Sequence, residues 1–355
     1  MMKKNKCLWA GIVFLIVSIV LQIVARTFAG FGQWYSQTIY PVLVNSIGRI
    51  MNLVPFSVSE IGIYLLIIFI LGSIVQAIRK KTWRNLAGNM FLLVSTLFFL
   101  YCINCGVNYY RTSFAESAGF IVDRYSVDDL KNTCIWLTEE VNEWSGKVSR
   151  DEADEMYLSL DESAEAVRSM EMLGNLYPEL SGYYPRPKGL INHWILSVQE
   201  LSGVYSPFTV EANYNTGMTD YNIPFTACHE LSHLRGFMQE EEANFIAFLA
   251  CIESEEADFR YSGYLLGWIH CMNLLYKTDY DAWEEIRGTL SENITADLKA
   301  NSEFWSKYDG AVAEVADKIN DTYLKANGQS DGVESYGRMA DLVVVYYVKS
   351  THLST

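Results

Sequence analysis

The stretch between residues 61 and 107 contains two apolar runs, IGIYLLIIFILGSIVQAI (61–78) and LAGNMFLLVSTLFFLYCINCGV (86–107), separated by the basic segment RKKTWR (79–84). A helix needs about 20 apolar residues to cross a bilayer, and both runs have about this length. Neither run has a polar face, which argues against two amphipathic helices of a soluble core. We therefore predict two transmembrane helices joined by a short loop.

Another apolar run, LWAGIVFLIVSIVLQIVA (8–25), precedes these two and follows a basic N-terminus. A cleaved signal peptide is the alternative, but the apolar core of such a peptide spans only about 7–15 residues. The sequence therefore favours an uncleaved first span in the lipid bilayer. Because basic loops stay in the cytoplasm, the N-terminus and the segment 79–84 should both lie there. We predict a multi-pass protein of the cell membrane with everything after residue 107 extracytoplasmic.

The charge of the chain changes at the same place. Residues 1–106 carry nine Lys/Arg and one acid, a net charge of +8, whereas the rest carries 18 basic and 41 acidic residues, a net charge of −23. A domain this acidic is repelled by phosphate backbones, so nucleic acid is not an expected partner. We predict a membrane anchor over 1–107 and an acidic domain over 108–355.

The acidic domain has apolar side chains mostly at helical spacing. One segment differs, because aromatic and β-branched residues alternate with polar ones over 203–216, which predicts a strand or hairpin. The domain should therefore be mainly α with a small β element. The predicted helices span residues 127–144, 152–172, 242–253, 263–276, 280–290, 302–326 and 336–348, with one more over FTACHELSH (225–233).

The segment FTACHELSH combines two histidines with a glutamate. Residues four apart lie on the same face of a helix, so His229 and His233 point the same way. Two imidazoles at this spacing can bind one Zn²⁺ at about 2.0–2.1 Å. Glu230 lies beside the first histidine, where it can act as general base on a zinc-activated water. Two satisfied core histidines are the alternative, but the chain has only five histidines. We therefore predict Zn²⁺ as a cofactor.

A catalytic zinc needs a third protein ligand and an open position for water. Gly236 can end the helix and turn the chain back, and the next helix then begins within QEEEAN (239–244). Three consecutive glutamates usually form a solvated helix start, where they stabilise the helix dipole. A glutamate from this helix is nevertheless a better zinc ligand than the neighbouring glutamine. The residues by themselves leave open which glutamate binds.

The motif His-Glu-x-x-His followed by Glu240-x-x-Ala243-Asn244 resembles the glutamate-zincin peptidases, in which a Glu-x-x-Ala-Asp/Asn helix supplies the third ligand. The resemblance implies Glu240 as that ligand, with Glu242 as second choice, and a zincin-like α+β fold. The whole chain is also similar to domain-of-unknown-function family 3810. Members of that family share three N-terminal spans, a segment like PFTVEANYNT (207–216) and a motif like HELSHLRGF (229–237).

Two further groups are candidates for contact with a substrate. The segment 207–216 is a possible edge strand that pairs with an extended peptide, and a purely structural hairpin is the alternative. Tyr336 or Arg338 is a possible donor to the oxyanion of a tetrahedral intermediate, and ordinary packing at a helix start is the alternative. The residues that would form the edge strand are Phe208, Val210, Ala212 and Asn213.

The leading functional hypothesis is a membrane-bound zinc metallopeptidase that hydrolyses peptide bonds in a peptide or protein substrate. One alternative is a non-catalytic zinc-binding membrane sensor or scaffold, against which the intact Glu230 argues. Another is a zinc amidase that acts on cell-envelope material. The acidity of the domain disfavours anionic polymers as substrates, which weakens this second alternative.

Overall fold

The structure, a computed structural model, describes residues 2–120, 125–327, 329 and 338–353. The chain folds into two compact units. The first comprises Met1–Thr112 and Ser206–Glu211, and the second comprises Ser113–Tyr205 and Ala212–Thr355. Both units are mainly helical and the second carries a small sheet, which confirms the predicted secondary-structure class.

The first unit contains three helices that are long and apolar enough to cross a membrane, by length and composition. They span Lys6–Thr27, Val58–Lys80 and Trp83–Tyr110, and they confirm the three predicted apolar helices. Many of their large apolar side chains are exposed in the protein, as is Ile68 at 65%. Such a surface is expected where the surroundings are lipid.

Shorter helices connect the long ones in this unit. Of the basic segment 79–84 that the sequence predicts as a loop, only Lys81 and Thr82 lie between the second and third long helices, and the other four residues are helical. The α-helices of the first unit are α1 (Met2–Thr27), α2 (Phe31–Thr38), α3 (Tyr40–Leu43), α4 (Arg49–Met51), α5 (Val58–Lys80) and α6 (Trp83–Tyr101). Two π-helical turns, Val44–Gly48 and Cys102–Gly106, and a 3₁₀ turn, Asn108–Tyr110, complete it.

The second unit is built around a buried helix, Glu240–Ile252. From Glu242 to Ile252 every residue of this helix is buried. A helix that is apolar on all sides is typical of a core position. The α-helices of this unit are α7 (Phe114–Ser117), α8 (Val127–Ser145), α9 (Glu162–Leu176), α10 (Trp194–Ser197), α11 (Asn222–Leu234), α12 (Glu240–Ile252), α13 (Ala257–Thr278), α14 (Tyr280–Arg287), α15 (Glu292–Trp305), α16 (Ala311–Ala326) and α17 (Met339–Leu353).

The sheet has three strands, β1 (Lys188–Gly189), β2 (Gly203–Ser206) and β3 (Glu211–Tyr214), in the order β1-β3-β2. Strand β1 runs parallel to β3 and pairs Lys188 with Asn213 and Gly189 with Tyr214. Strand β3 is therefore central, and β2 lies at an edge.

The prediction of an edge strand over residues 207–216 is wrong. Ala212 and Asn213 lie in the central strand β3 and are buried, and β1 pairs with β3 at Asn213 and Tyr214 on the side that the sequence left open. Phe208 and Val210 lie in the loop between β2 and β3. Alternation of residue types identifies a strand, but it does not determine which other strands pair with it.

Candidate metal centre

Helix α11 carries His229, Glu230 and His233 and ends in a turn that reverses the chain. The Gly236 N–H donates to the His233 carbonyl at 2.8 Å, and the Phe237 N–H donates to the Ser232 carbonyl at 3.1 Å. This pair of bonds is a Schellman motif, which requires a left-handed residue at its centre. Gly236 supplies that conformation, with a φ of +97°. The predicted glycine turn therefore directs the chain towards α12.

Helix α12 brings Glu240 to the two histidines. Glu240 Oε2 lies 3.3 Å from His229 Nε2 and 3.6 Å from His233 Nε2. The ligand atoms of these three side chains all lie within 4.8 Å of one another. Among the residues that the structure describes, this is the one group of three or more His, Cys, Asp or Glu side chains with the spacing of a metal site. The three predicted ligands thus come together.

The geometry of this cluster fits a zinc ion. In a tetrahedral site with bonds of about 2.0–2.1 Å, two ligand atoms lie about 3.3–3.4 Å apart. The separations of 3.3 Å and 3.6 Å between the glutamate oxygen and the imidazole nitrogens are close to this value. Two imidazoles and a carboxylate also form a typical ligand set of catalytic zinc, which leaves one position open.

The imidazole of His233 is oriented by the turn that follows α11. Its Nδ1 lies 2.8 Å from the Phe237 carbonyl oxygen, a distance at which the Nδ1–H donates to that oxygen. The lone pair of Nε2 is then directed at the cluster, as it is in most histidines that bind a metal. By contrast, His229 Nδ1 and Glu230 Oε2 are buried and have no hydrogen-bond partner within the described part of the chain.

The side chains of the cluster shift one another's pKa values. Burial on its own would raise the pKa of Glu240, but the two histidines outweigh it and hold the pKa of this carboxyl well below its usual range. Burial would lower the pKa of His233, but the Glu240 carboxylate outweighs it and raises the pKa to about 9. Burial raises the pKa of Glu230 to about 7, opposed in part by the two histidines. The Glu240 carboxylate is therefore stabilised by the positive charge that the histidines carry when they are protonated.

The other two glutamates of the α12 start have different partners. Glu241 accepts hydrogen bonds from Arg338 Nη2 at 2.9 Å and from Gln329 Nε2 at 2.7 Å. Glu242 is buried and accepts hydrogen bonds from the backbone N–H groups of Phe114 and Ala115. These two amides open α7, whose first N–H groups have no partner within the helix. The carboxylate of Glu242, the second choice for third ligand, therefore binds the N-terminus of α7.

Strand β2 lies against the carboxylate of Glu230. A Cβ atom built at Gly203 would lie 2.5 Å from Glu230 Oε1 and 2.7 Å from Thr226 Cγ2. Real Cβ atoms do not approach other atoms this closely, so the contact requires glycine at position 203. The backbone of the edge strand thus forms a wall beside the carboxylate that the sequence identified as a general base.

Sequence reasoning did not identify two residues of this arrangement. Phe237 could have been found from the glycine signal, because a Schellman turn keeps the next residue near the last turn of the helix. No local signal marks Gly203, since its contact depends on the tertiary fold. Of the predicted oxyanion donors, Arg338 is bonded to Glu241, and Tyr336 lies outside the described residues. A role for either residue stays a prediction.

One protein-family model, described as Protein of unknown function (DUF3810), matches residues 35–344. This match covers most of the chain, and the chain therefore belongs to that family. No curated protein and no solved structure matches the chain.

Proposed function

We propose that this member of the DUF3810 family is a membrane-anchored zinc peptidase of zincin type. In this proposal, His229, His233 and Glu240 hold the metal ion and Glu230 is the general base. The observation that carries it is the spacing of 3.3 Å and 3.6 Å between Glu240 Oε2 and the two imidazole nitrogens. This spacing suits a tetrahedral zinc ion, and it occurs beside the buried Glu230, whose Oε2 has no hydrogen-bond partner among the described residues.

In the proposed reaction, the metal ion and the side chains of the protein have separate roles. A zinc ion, when bound, would polarise the scissile carbonyl and lower the pKa of a water molecule. Glu230 removes a proton from the attacking water and later delivers it to the amine leaving group. A pKa of about 7, raised mainly by burial, suits both steps, because a group with a pKa near the working pH can accept and release a proton.

A peptide is the substrate class that the surroundings of Glu230 favour. Strand β2 is an edge strand whose first residue, Gly203, lies against the Glu230 carboxylate. An extended chain can add to such an edge through main-chain hydrogen bonds, which places its peptide groups beside the strand. The peptide-binding edge that we placed over residues 207–216 from the sequence is thus reassigned to β2.

The proposed chemistry predicts separate effects for the base and the ligands. In the full-length protein in lipid nanodiscs, Glu230→Gln should retain zinc and lower turnover of a fluorogenic peptide library by about 10²–10⁴-fold. His229→Ala should lose both zinc and turnover. The exposed Glu314→Gln on α16 is the matched control and should behave as the wild type. Zinc binding without turnover in the wild type would instead support the non-catalytic sensor or scaffold.

We also propose that the second unit is extracytoplasmic, because the basic segment between α5 and α6 should remain in the cytoplasm. A cysteine introduced at Val312, which is 58% exposed on α16, should react with a membrane-impermeant maleimide in intact cells. A cysteine introduced at the exposed Lys81 should react only after lysis. The reverse pattern would mean that the second unit faces the cytoplasm.

A further inference from the structure

The loop between β2 and β3 is fixed inside the first unit, although most of both strands belongs to the second. The Glu211 carboxylate, which is 3% exposed, accepts hydrogen bonds from the backbone N–H groups of Val58 at 3.1 Å and Ser59 at 2.8 Å. These two amides open α5, the second apolar helix. Asn104, at the end of the third apolar helix, donates from Nδ2 to the Pro207 carbonyl at 2.7 Å.

The loop has a conformation that needs such support. Val210 has a φ of +55°, in the left-handed region that β-branched residues rarely adopt, and it is completely buried. Strained backbone of this kind persists only where the surrounding structure holds it, and it is concentrated in functional segments. Two bonds stabilise the turn itself, one from the Val210 N–H to the Ser206 carbonyl at 2.8 Å and one from Thr209 Oγ1 to Ser206 Oγ at 2.9 Å.

The same hairpin contacts the candidate general base at its other end. Strand β2 begins at Gly203, whose backbone lies against the Glu230 carboxylate and the Thr226 side chain. Only the three remaining residues of β2 separate that contact from the loop. A strand of this length is nearly inextensible, since its backbone is already extended. A shift of the loop is therefore transmitted along β2 to the position of Gly203.

We propose that Glu211 is a positioning residue that ties strand β2 to the first turn of α5, so that the state of this apolar helix sets how the strand lies against Glu230. The coupling runs along the chain from Glu211 through the loop to Gly203. It gives the membrane helices a route by which a bound partner or a change in the bilayer regulates the metal centre. This proposal rests on the proposed function for its effect on catalysis, but its structural part can be measured without a substrate.

The test compares Glu211→Gln with Ser57→Ala in the full-length protein in nanodiscs. Ser57 Oγ caps the same helix turn by accepting the Glu60 N–H at 3.1 Å, and its removal leaves both bonds of Glu211 in place. Glutamine keeps one acceptor oxygen and loses the charge. We expect amide hydrogen exchange over residues 203–205 to become about 10-fold faster in Glu211→Gln, the factor for a weakened charge-assisted hydrogen bond. Ser57→Ala should leave that exchange as in the wild type.

Zinc content and kinetics separate positioning from loss of the fold. Glu211→Gln should keep the zinc of the wild type, because no ligand is touched. Its kcat per bound zinc should fall by about 100-fold with little change in KM, since a shift of about 1 Å at a reacting group can cost that much. If Glu211→Gln does not fold, Asn104→Leu removes the second anchor, and it should show the same faster exchange.

The outcomes of this experiment are distinct. Wild-type exchange over 203–205 in both Glu211→Gln and Asn104→Leu would overturn the coupling. Equal acceleration in Ser57→Ala, which leaves both Glu211 bonds in place, would overturn the role of Glu211 as the positioning residue, because the α5 start would then act on the strand without it. Faster exchange in a protein that cleaves no peptide would support the coupling and contradict only the proposed peptidase function.

Discussion

Two buried glutamates, one in each unit, have the same structural role. Glu242, which lies two residues after the proposed ligand Glu240, accepts N–H bonds from the first turn of α7. Glu211, at the end of the β2–β3 loop, accepts N–H bonds from the first turn of α5. Both carboxylates compensate donors that a helix leaves unpaired at its positive end.

The two glutamates differ in the unit to which their partner helix belongs. Glu242 and α7 are both parts of the second unit, so the start of α12 is fixed by the core that holds the proposed metal ligands. Glu211 and α5 are both parts of the first unit, and their bond reaches Gly203 only along the chain. We therefore expect the ligand geometry to be rigid and the wall beside Glu230 to be adjustable.

The largest effect in this comparison is expected at the start of α12. Glu240→Ala should weaken zinc binding by more than about 100-fold, because removal of a residue that only supports a ligand typically costs 10–100-fold. Glu242→Gln should leave zinc affinity unchanged and lower the free energy of unfolding by about 1–3 kcal/mol, since glutamine loses the charge and one of the two oxygens that accept from the α7 amides. Chelator competition measures the affinity, and thermal unfolding of the zinc-loaded protein measures the stability.

Glu241→Gln is the matched control for both variants. Its carboxylate is bonded to Arg338 and Gln329 rather than to the histidines, so zinc affinity should change by less than that of Glu240→Ala. Loss of zinc in Glu242→Gln together with retention in Glu240→Ala would identify Glu242 as the third ligand. The register that we assign to α12 would then be incorrect.

The two histidines of the candidate metal centre could be predicted to lie together because their geometry is local. The spacing of His229 and His233 on one helix, and the glycine that ends it, are determined within eight residues of chain. The choice of Glu240 over Glu242 needed the family resemblance. The three glutamates have similar local signals, and they differ only in what the rest of the fold brings to each of them.

The helices were predicted well where a local signal marks their ends. Helix α8 begins at Val127, as predicted, because Ser126 and Asp129 form a capping box. The predicted helix over 152–172 begins only at Glu162, where Asp161 caps it by accepting the Ala164 N–H at 3.0 Å, while the Met156 N–H is bonded to the buried Asp297 at 2.7 Å. The predicted helix over 302–326 is interrupted at residues 306–310, where α15 ends and Gly310 precedes α16. Apolar residues keep their helical spacing across these breaks, so the spacing alone does not predict where the helices are interrupted.

The sequence correctly predicts a β element over residues 203–216. It does not predict which strands and helices contact that element. Strand order and the location of the loop depend on partners far away in the sequence, such as β1 and the start of α5. The alternation of residue types within residues 203–216 does not predict which segments those partners are. The contact of Gly203 with Glu230 is of the same kind, and an experiment at this position tests it most directly.

Gly203→Ala should impair catalysis without removing the metal. The added methyl carbon would lie 2.5 Å from Glu230 Oε1 and 2.9 Å from the Asn213 carbonyl oxygen, so either the carboxylate or the strand must move. We expect kcat to fall by about 10–100-fold, because the general base is displaced by a fraction of an ångström or more. Zinc affinity should stay within a few-fold of the wild type, since no proposed ligand is touched.

Val204→Ala, at the next residue of β2, is the matched control, because its side chain is 38% exposed and its truncation adds no atom near Glu230. Unchanged kcat in Gly203→Ala would show that β2 does not confine the base, and the adjustable wall would then have no role in turnover.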